Sequence, residues 1–310
     1  MLQAILLSVG GLIGLAVGGE LLVRGAVGIA QKLGVSTLFT GLVIVGFATS
    51  MPEMVASVEA AMKGAPGIAW GNIVGSNLAN TLLILGATAL IAPIALGGSG
   101  RRDAVFALGA TLLLWALVAS GAASIGIGAG LLLGIIGYIV WRYSHPGGSD
   151  AAGSDDELED APANGWIAGV LFVVGLAILV AGGNALVTGA IALATIFNVP
   201  DTVIGLTVVA VGTSLPELAA SIAAALRGKS GLALGNVLGS NIYNILLIGG
   251  TTMAIAPVAL PQELAGTQML LLTGSAVLLL ALVWLARRIG RALGAVLLAA
   301  FVANVVLVFA

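Results

Sequence analysis

Moved along by 164 residues, the second half of the chain falls on the first without a gap, Gly182 on Gly18 and Pro257 on Pro93. Gly18-Gly19-x-x-Leu22-Val23-x-Gly25-Ala26 returns as Gly182-Gly183-x-x-Leu186-Val187-x-Gly189-Ala190. Thr49-Ser50-Met51-Pro52-Glu53 returns as Thr213-Ser214-Leu215-Pro216-Glu217. Gly71-Asn72-x-x-Gly75-Ser76-Asn77-x-x-Asn80 returns as Gly235-Asn236-x-x-Gly239-Ser240-Asn241-x-x-Asn244. A chain self-similar at a fixed shift folds as copies of one unit. Whatever one copy brings to a site, the other brings again from a symmetry-related place.

The repeated unit belongs in a bilayer. Of the 310 residues 60% are hydrophobic and only 8% charged, where soluble domains carry about a quarter charged. Apolar runs long enough to cross about 30 Å of hydrocarbon recur along the chain. They fall near 2–30, 37–62, 66–92, 103–119, 122–142, 165–194, 201–226, 230–256, 267–287 and 290–309. Five spans per copy is an odd number, so the second copy enters the membrane upside down. The expected fold is an all-α integral membrane protein, with ten transmembrane helices forming two inverted five-helix repeats. Residues 1–144 would be the first repeat and 165–310 the second. Between them, residues 145–164 (HPGGSDAAGSDDELEDAPAN) hold six of the 13 acidic residues and read as a flexible cytoplasmic linker.

Lysine and arginine set the orientation. With the N-terminus outside, Lys32, Arg101, Arg102, Arg142, Arg227, Lys229, Arg287, Arg288 and Arg291 lie inward, Lys63 alone lies outward, and Arg24 sits toward the inner end of the first span. The positive-inside rule then puts both termini outside a multi-pass protein of the cell membrane. The opening MLQAILLSVGGLIG lacks a basic leader and a small-residue cleavage site, so it reads as the first membrane helix.

Several function classes drop out. A net charge of -2 with no basic patch offers nothing to nucleic acid, and with no cysteine there are no thiolate sites or disulfides. Gly228-Lys229-Ser230 imitates the end of a phosphate-binding loop, but Ala223 stands where its first glycine belongs. No Gly-x-Ser-x-Gly elbow is present either. The chain is expected to be no enzyme, to need no cofactor and no obligate protein partner beyond the lipid bilayer, and to transport by coupling to an ion gradient.

The polar residues inside the spans carry the chemistry. Glu53 and Glu217 occupy equivalent positions deep in apolar runs, with no Lys or Arg at comparable depth in the second, third, seventh or eighth spans. An acidic residue at a helix centre costs at least ~2.5–3.5 kcal/mol, so a bound cation is the natural counter-charge. Pro52 and Pro216 precede these glutamates and cannot donate a backbone hydrogen bond, which should free carbonyls around Gly46–Ala48 and Ala210–Gly212. Thr49 shares a helix face with Glu53, and Thr213 with Glu217. Ser76 with Asn80, and Ser240 with Asn244, form further pairs four residues apart, each offering a hydroxyl and an amide oxygen, hard ligands suited to Na⁺ or Ca²⁺. Gly71, Gly75, Gly235 and Gly239 read as close-packing positions. Glu20 lacks a symmetric acidic partner, Asn184 standing at its equivalent, and reads as a helix-end or packing residue. Glu59 lies close enough to Lys63 to pair with it, and His145 is an isolated linker residue.

In these motifs the sequence resembles the sodium/calcium exchanger family among the cation/calcium antiporters, in its short prokaryotic form. The family pattern Gly-Thr-Ser-x-Pro-Glu is complete at 212–217 and has Ala48 for its first glycine in the other copy. The resemblance implies Na⁺/Ca²⁺ antiport by alternating access, with Glu53 and Glu217 as central ligands shared by both ions. It assigns Thr49, Ser50, Thr213 and Ser214 to flanking Na⁺ sites, aided by the Gly46 and Ala210 carbonyls, and sets Asn80 at the border of the middle site. The first and sixth spans would slide across a rigid core. Calcium-carrying members usually have aspartate where this chain has Asn244, which leaves H⁺/Ca²⁺ or another monovalent-cation exchange as the alternative. A passive channel or a non-transporting scaffold fits the inverted repeat less well.

Overall fold

The computed structural model describes residues 1–64, 66–145, 164–196, 210–257 and 260–309. Nearly all of the expected linker, and residues 201–209 of the expected seventh span, lie outside these.

Helices account for every described span. They are α1 (Leu2–Leu33), α2 (Thr37–Thr49), α3 (Met51–Met62), α4 (Pro66–Ile91), α5 (Arg101–Ser120), α6 (Ile125–Ser144), α7 (Gly165–Ile196), α8 (Ala210–Gly212), α9 (Leu215–Leu226), α10 (Ser230–Ile255), α11 (Thr267–Leu285) and α12 (Arg291–Phe309). Among the described residues seven helices are long and apolar enough to cross a membrane, or eight when α2 and α3 count as one bent span. The apolar stretches Leu215–Leu226 and Arg291–Val306 are shorter. A two-stranded ladder that hydropathy does not foretell, β1 (Ile94–Ala95) with β2 (Arg288–Ile289), ties the loop after α4 to the one after α11.

Burial sorts the helices. In α4 and α10, 78% and 89% of the apolar window is buried, against 22–39% in the other long spans. The polar residues of the repeated motifs therefore ride on the two central helices and on α2, α3 and α9, while the outer helices turn Leu12, Ile13, Leu133, Ile136 and Val173 outward. An apolar outer face is the stable arrangement where the solvent is lipid, and the interior can then hold the polar groups.

The longest helix pair is built on glycine. Gly11 meets Gly182 and Leu186, Gly18 meets Gly175 and Leu179, and Gly25 meets Ala168 and Phe172. Contacts climb α1 as they descend α7, so these two sequence-equivalent helices pack antiparallel. A methyl group on Gly18 would sit 2.7 Å from the Leu179 nitrogen and 2.9 Å from the Gly175 carbonyl. Lipid supplies no hydrophobic drive between helices, so backbone approach of this kind provides the packing.

Arg142 is not a free loop charge. It is 2% exposed and its Nε donates to Asp103 Oδ1 at 2.8 Å, while the Tyr138 hydroxyl donates to the same oxygen at 2.7 Å. The pair clamps the end of α6 to the start of α5. Lys229, also counted among the loop charges, is buried.

Candidate functional site

Each half breaks its helix at the same place. The chain bends by 44° between α2 and α3, with Ser50 at φ -81°, ψ 4° between them. Ser214, at φ -91°, ψ 7°, stands in the same way before α9. The prolines sit in the first turn of the new helix in both cases, and not within a continuous one as the sequence pattern implies. Proline is well suited to that position, where its missing N–H is not needed. The breaks place Glu53 and Glu217 in the first turns of α3 and α9, where the positive end of the helix dipole favours a carboxylate.

The two breaks face each other. Ser50 Oγ donates to Glu217 Oε1 at 3.3 Å, and Ser214 Oγ donates to Glu53 Oε1 at 3.1 Å. Thr49 Oγ1 lies 3.0 Å from the Val45 carbonyl and 3.3 Å from Asn236 Oδ1. Thr49, Ser50, Glu53, Ser214 and Glu217 are all buried. Thr213 is half-buried and lines a cavity of about 170 Å³ with Pro52, Pro216, Gly212 and Asn184.

The Gly46 carbonyl accepts the Ser50 N–H at 3.1 Å, so it keeps one lone pair and is only partly freed. Pro52 has no N–H for the carbonyl of Ala48, four residues back. Ala210 opens the short helix α8.

The other predicted oxygens enter through irregular helix. A π-helical segment, Ala79–Ile84, contains Asn80 and packs against α9, the helix of Glu217. A second, Asn244–Ile248, opens with Asn244 and packs against α3, the helix of Glu53. Such widened turns free backbone and re-aim side chains, and they concentrate at functional sites. Ser76 and Ser240 lie one turn earlier and are buried, and the Ser240 nitrogen runs beside Gly46. A third π-helical segment, Thr40–Val45, precedes the break in α2.

Among the described residues, Glu53 Oε2, Glu217 Oε2, Asn80 Nδ2, Ser240 Oγ and Asn244 Oδ1 are buried without a hydrogen-bond partner. Leaving one such atom unpaired costs roughly 1–3 kcal/mol, and more when it is charged. Four of these are oxygens, on α3, α9 and α10, and a dehydrated cation would satisfy them, whereas the Asn80 amide nitrogen is a donor and calls for an acceptor. No group of three or more His, Cys, Asp or Glu side chains is gathered among the described residues. The candidate donor set is two carboxylates with hydroxyls and amides, a combination that would suit alkali or alkaline-earth ions better than transition metals.

Two further pairs hold the backbone turns that carry the glutamates. Asn72 Nδ2 donates to the Glu53 carbonyl at 3.1 Å and Ser57 Oγ at 2.9 Å. Asn236 Nδ2 repeats this with the Glu217 carbonyl at 3.2 Å and Ser221 Oγ at 2.9 Å. The sequence reading passed over these four as site residues, although their recurrence at the repeat shift was the available signal.

The model of the family described as sodium/calcium exchanger protein matches residues 3–144 and again 167–310. The chain belongs to the sodium/calcium exchanger family. Sodium/calcium exchanger MaX1 of Methanosarcina acetivorans is 32% identical to this family member over 290 residues, covering 81% of this chain and 83% of that one. A protein of Alkalimonas amylolytica that carries the name antiporter CaxA is 38% identical over 318 residues, covering 100% and 99%. The sodium-calcium exchanger NCX_Mj, solved after soaking in Na⁺ and Sr²⁺, superposes with a TM-score of 0.83 at 31% identity over 98% of each chain. This member of the exchanger family is accordingly a multi-pass membrane protein and a cation antiporter by family, not an enzyme.

Proposed function

We propose that the protein exchanges Na⁺ for Ca²⁺, binding both at a midplane site formed by Glu53 and Glu217 with oxygens from Thr49, Ser50, Ser76, Asn80, Thr213, Ser214, Ser240 and Asn244 and the carbonyls of Gly46 and Ala210. The observation that carries this reading is the reciprocal pair of hydroxyl–carboxylate bonds, Ser50 to Glu217 and Ser214 to Glu53, with each second carboxylate oxygen buried and unpaired. Two carboxylates balance one Ca²⁺, and Na⁺ ions distributed over the same oxygens compete with it for them. Exchange follows because the two loads exclude each other.

In the proposed architecture residues 1–144 and 165–310 are inverted five-helix repeats, joined by a cytoplasmic linker at 145–164, with ten spans and both termini outside. The antiparallel packing of α1 on α7 and the separate family matches to the two halves support it. Alternating access would come from movement of that glycine-lined pair across the central helices.

Purified protein in liposomes tests the ion assignment. An outward Na⁺ gradient should drive uptake of radiolabelled Ca²⁺, and Glu53→Gln or Glu217→Gln should abolish it. Uptake driven by a pH gradient and indifferent to Na⁺ would overturn the Na⁺ assignment. It would favour H⁺/Ca²⁺ exchange, a reading that the neutral Asn244 keeps open.

A further inference from the structure

The two sides of the site are not equally open. On the α7 side the cavity of about 170 Å³ is lined by Pro52, Gly183, Asn184, Val187, Thr213 and Pro216. At the repeat-related positions on the α1 side, Val23 and Thr49 are fully buried, whereas Val187 and Thr213 are half-buried. Among the described residues, the α1 side is therefore the more closely covered of the two.

A substitution of charges accompanies the difference. Where α7 has Asn184, α1 has Glu20; where α3 ends on Lys63, α9 ends on Arg227; and where α3 has Glu59, α9 has Ala223. Lys63 is engaged by Glu59 within its own turn, at 2.5 Å. Arg227 meets no acid at Ala223, and instead its Nε donates to Glu20 Oε2 at 2.6 Å while its terminal nitrogen donates to Glu20 Oε1. Arg24 Nε adds a third bond to Oε1 at 2.9 Å. Ala223, being small, also lets α1 come close at Gly19. The planar two-point contact is the geometry in which arginine binds carboxylate best. It joins α1 to the far end of α9, the helix that carries Glu217 in its first turn.

We propose that Glu20 and Arg227 form a latch that holds α1 against α9, keeps the α1 side of the site closed, and must open in each transport cycle. Among the described residues it has no counterpart on the α7 side, where Asn184 carries no charge and Lys63 is already paired. The latch rests on the alternating-access reading above. It adds to that reading a built-in preference for one side.

The chain has no cysteine, so single reporters can be introduced directly. Asn184→Cys and Val23→Cys, each purified in detergent where both faces are accessible, are labelled with a small thiol reagent in Na⁺ buffer. Without further change Cys at 184 should react fast and Cys at 23 slowly. Adding Glu20→Gln, or separately Arg227→Gln, should slow the first and quicken the second by about fivefold, the change in a two-state ratio that a partly exposed ion pair sustains. The double variant should match either single one. Unchanged rates, additive effects, or faster labelling of both reporters together would overturn the latch, the last by revealing a merely loosened structure. Either single variant is informative if the other does not fold. Labelling needs no transport, so failure of the ion assignment would leave this test intact.

Discussion

Ser50 and Glu217 lie 167 residues apart in the chain and 3.3 Å apart in the fold, hydroxyl to carboxylate, each at the helix break of its own half. The mirror bond from Ser214 to Glu53 closes the pair. Neither half holds its glutamate alone, because each carboxylate is steadied by a hydroxyl of the other copy.

Ser50→Ala and Ser214→Ala each remove one bond to a carboxylate and one oxygen from the proposed ligand set. A hydrogen bond to a charged group is worth about 1.5–3 kcal/mol, so the half-saturating Ca²⁺ concentration should rise about tenfold or more. Concentration-dependent uptake into liposomes measures it. The two variants should behave alike, and a large effect in only one would argue against a shared site.

Asn72→Ala and Asn236→Ala should act mainly on stability. Each strips a buried serine and a glutamate carbonyl of their common donor. The expected loss is about 1–3 kcal/mol, read as a lower melting temperature in detergent. Because Asn236 also lies 3.3 Å from Thr49 Oγ1, its loss should additionally weaken Na⁺ activation.

Arg142→Met leaves Asp103 buried at 1% exposure with Tyr138 as its remaining side-chain donor among the described residues. Removing one partner of a buried ion pair costs about 3–5 kcal/mol. Asp103→Asn in the same chain should recover much of that. Thermal unfolding checks both, and whatever protein remains folded should still exchange, since this clamp lies on α5 and α6.

Gly18→Ala should separate α1 from α7, since its methyl would press on the Leu179 nitrogen and the Gly175 carbonyl. Exchange should fall at least tenfold. Gly10→Ala, on the same helix with nothing within 4 Å of the added carbon, should leave exchange unchanged. Parallel uptake assays distinguish a packing effect from one of helix propensity.

Asn244→Asp adds a third carboxylate to the proposed site. Ca²⁺ affinity follows the charge of its ligands, so the half-saturating Ca²⁺ concentration should fall about tenfold. Direct Ca²⁺ titration of the purified protein measures it.

Much of the architecture is legible in the residues themselves. Hydropathy marks the helical stretches because lipid admits only segments that satisfy their own backbone, and the boundaries at Pro66, Gly165 and Thr267 follow from it. The repeat pairs Glu53 with Glu217 before any coordinates, because a buried acid in duplicate is too costly to be incidental. The family motif points to the hydroxyls of Ser50 and Ser214 for the same reason of position. The β1–β2 ladder escapes the pattern, being two residues long. So does the clamp of Arg142 on Asp103, because a charge at a helix end looks the same whether it meets water or a buried acid.

The sequence by itself determined that this chain lives in a membrane, that it is doubled, and which polar residues require an explanation there. Those are consequences of composition and periodicity, which act residue by residue. Only the tertiary structure decided which hydroxyl reaches which carboxylate, that both prolines begin new helices, and that Glu20 finds Arg227 across 207 residues while Lys63 stays with its neighbour. Such choices depend on how the two halves pack together, since a partner's identity is set by distances between helices that no single stretch of chain contains.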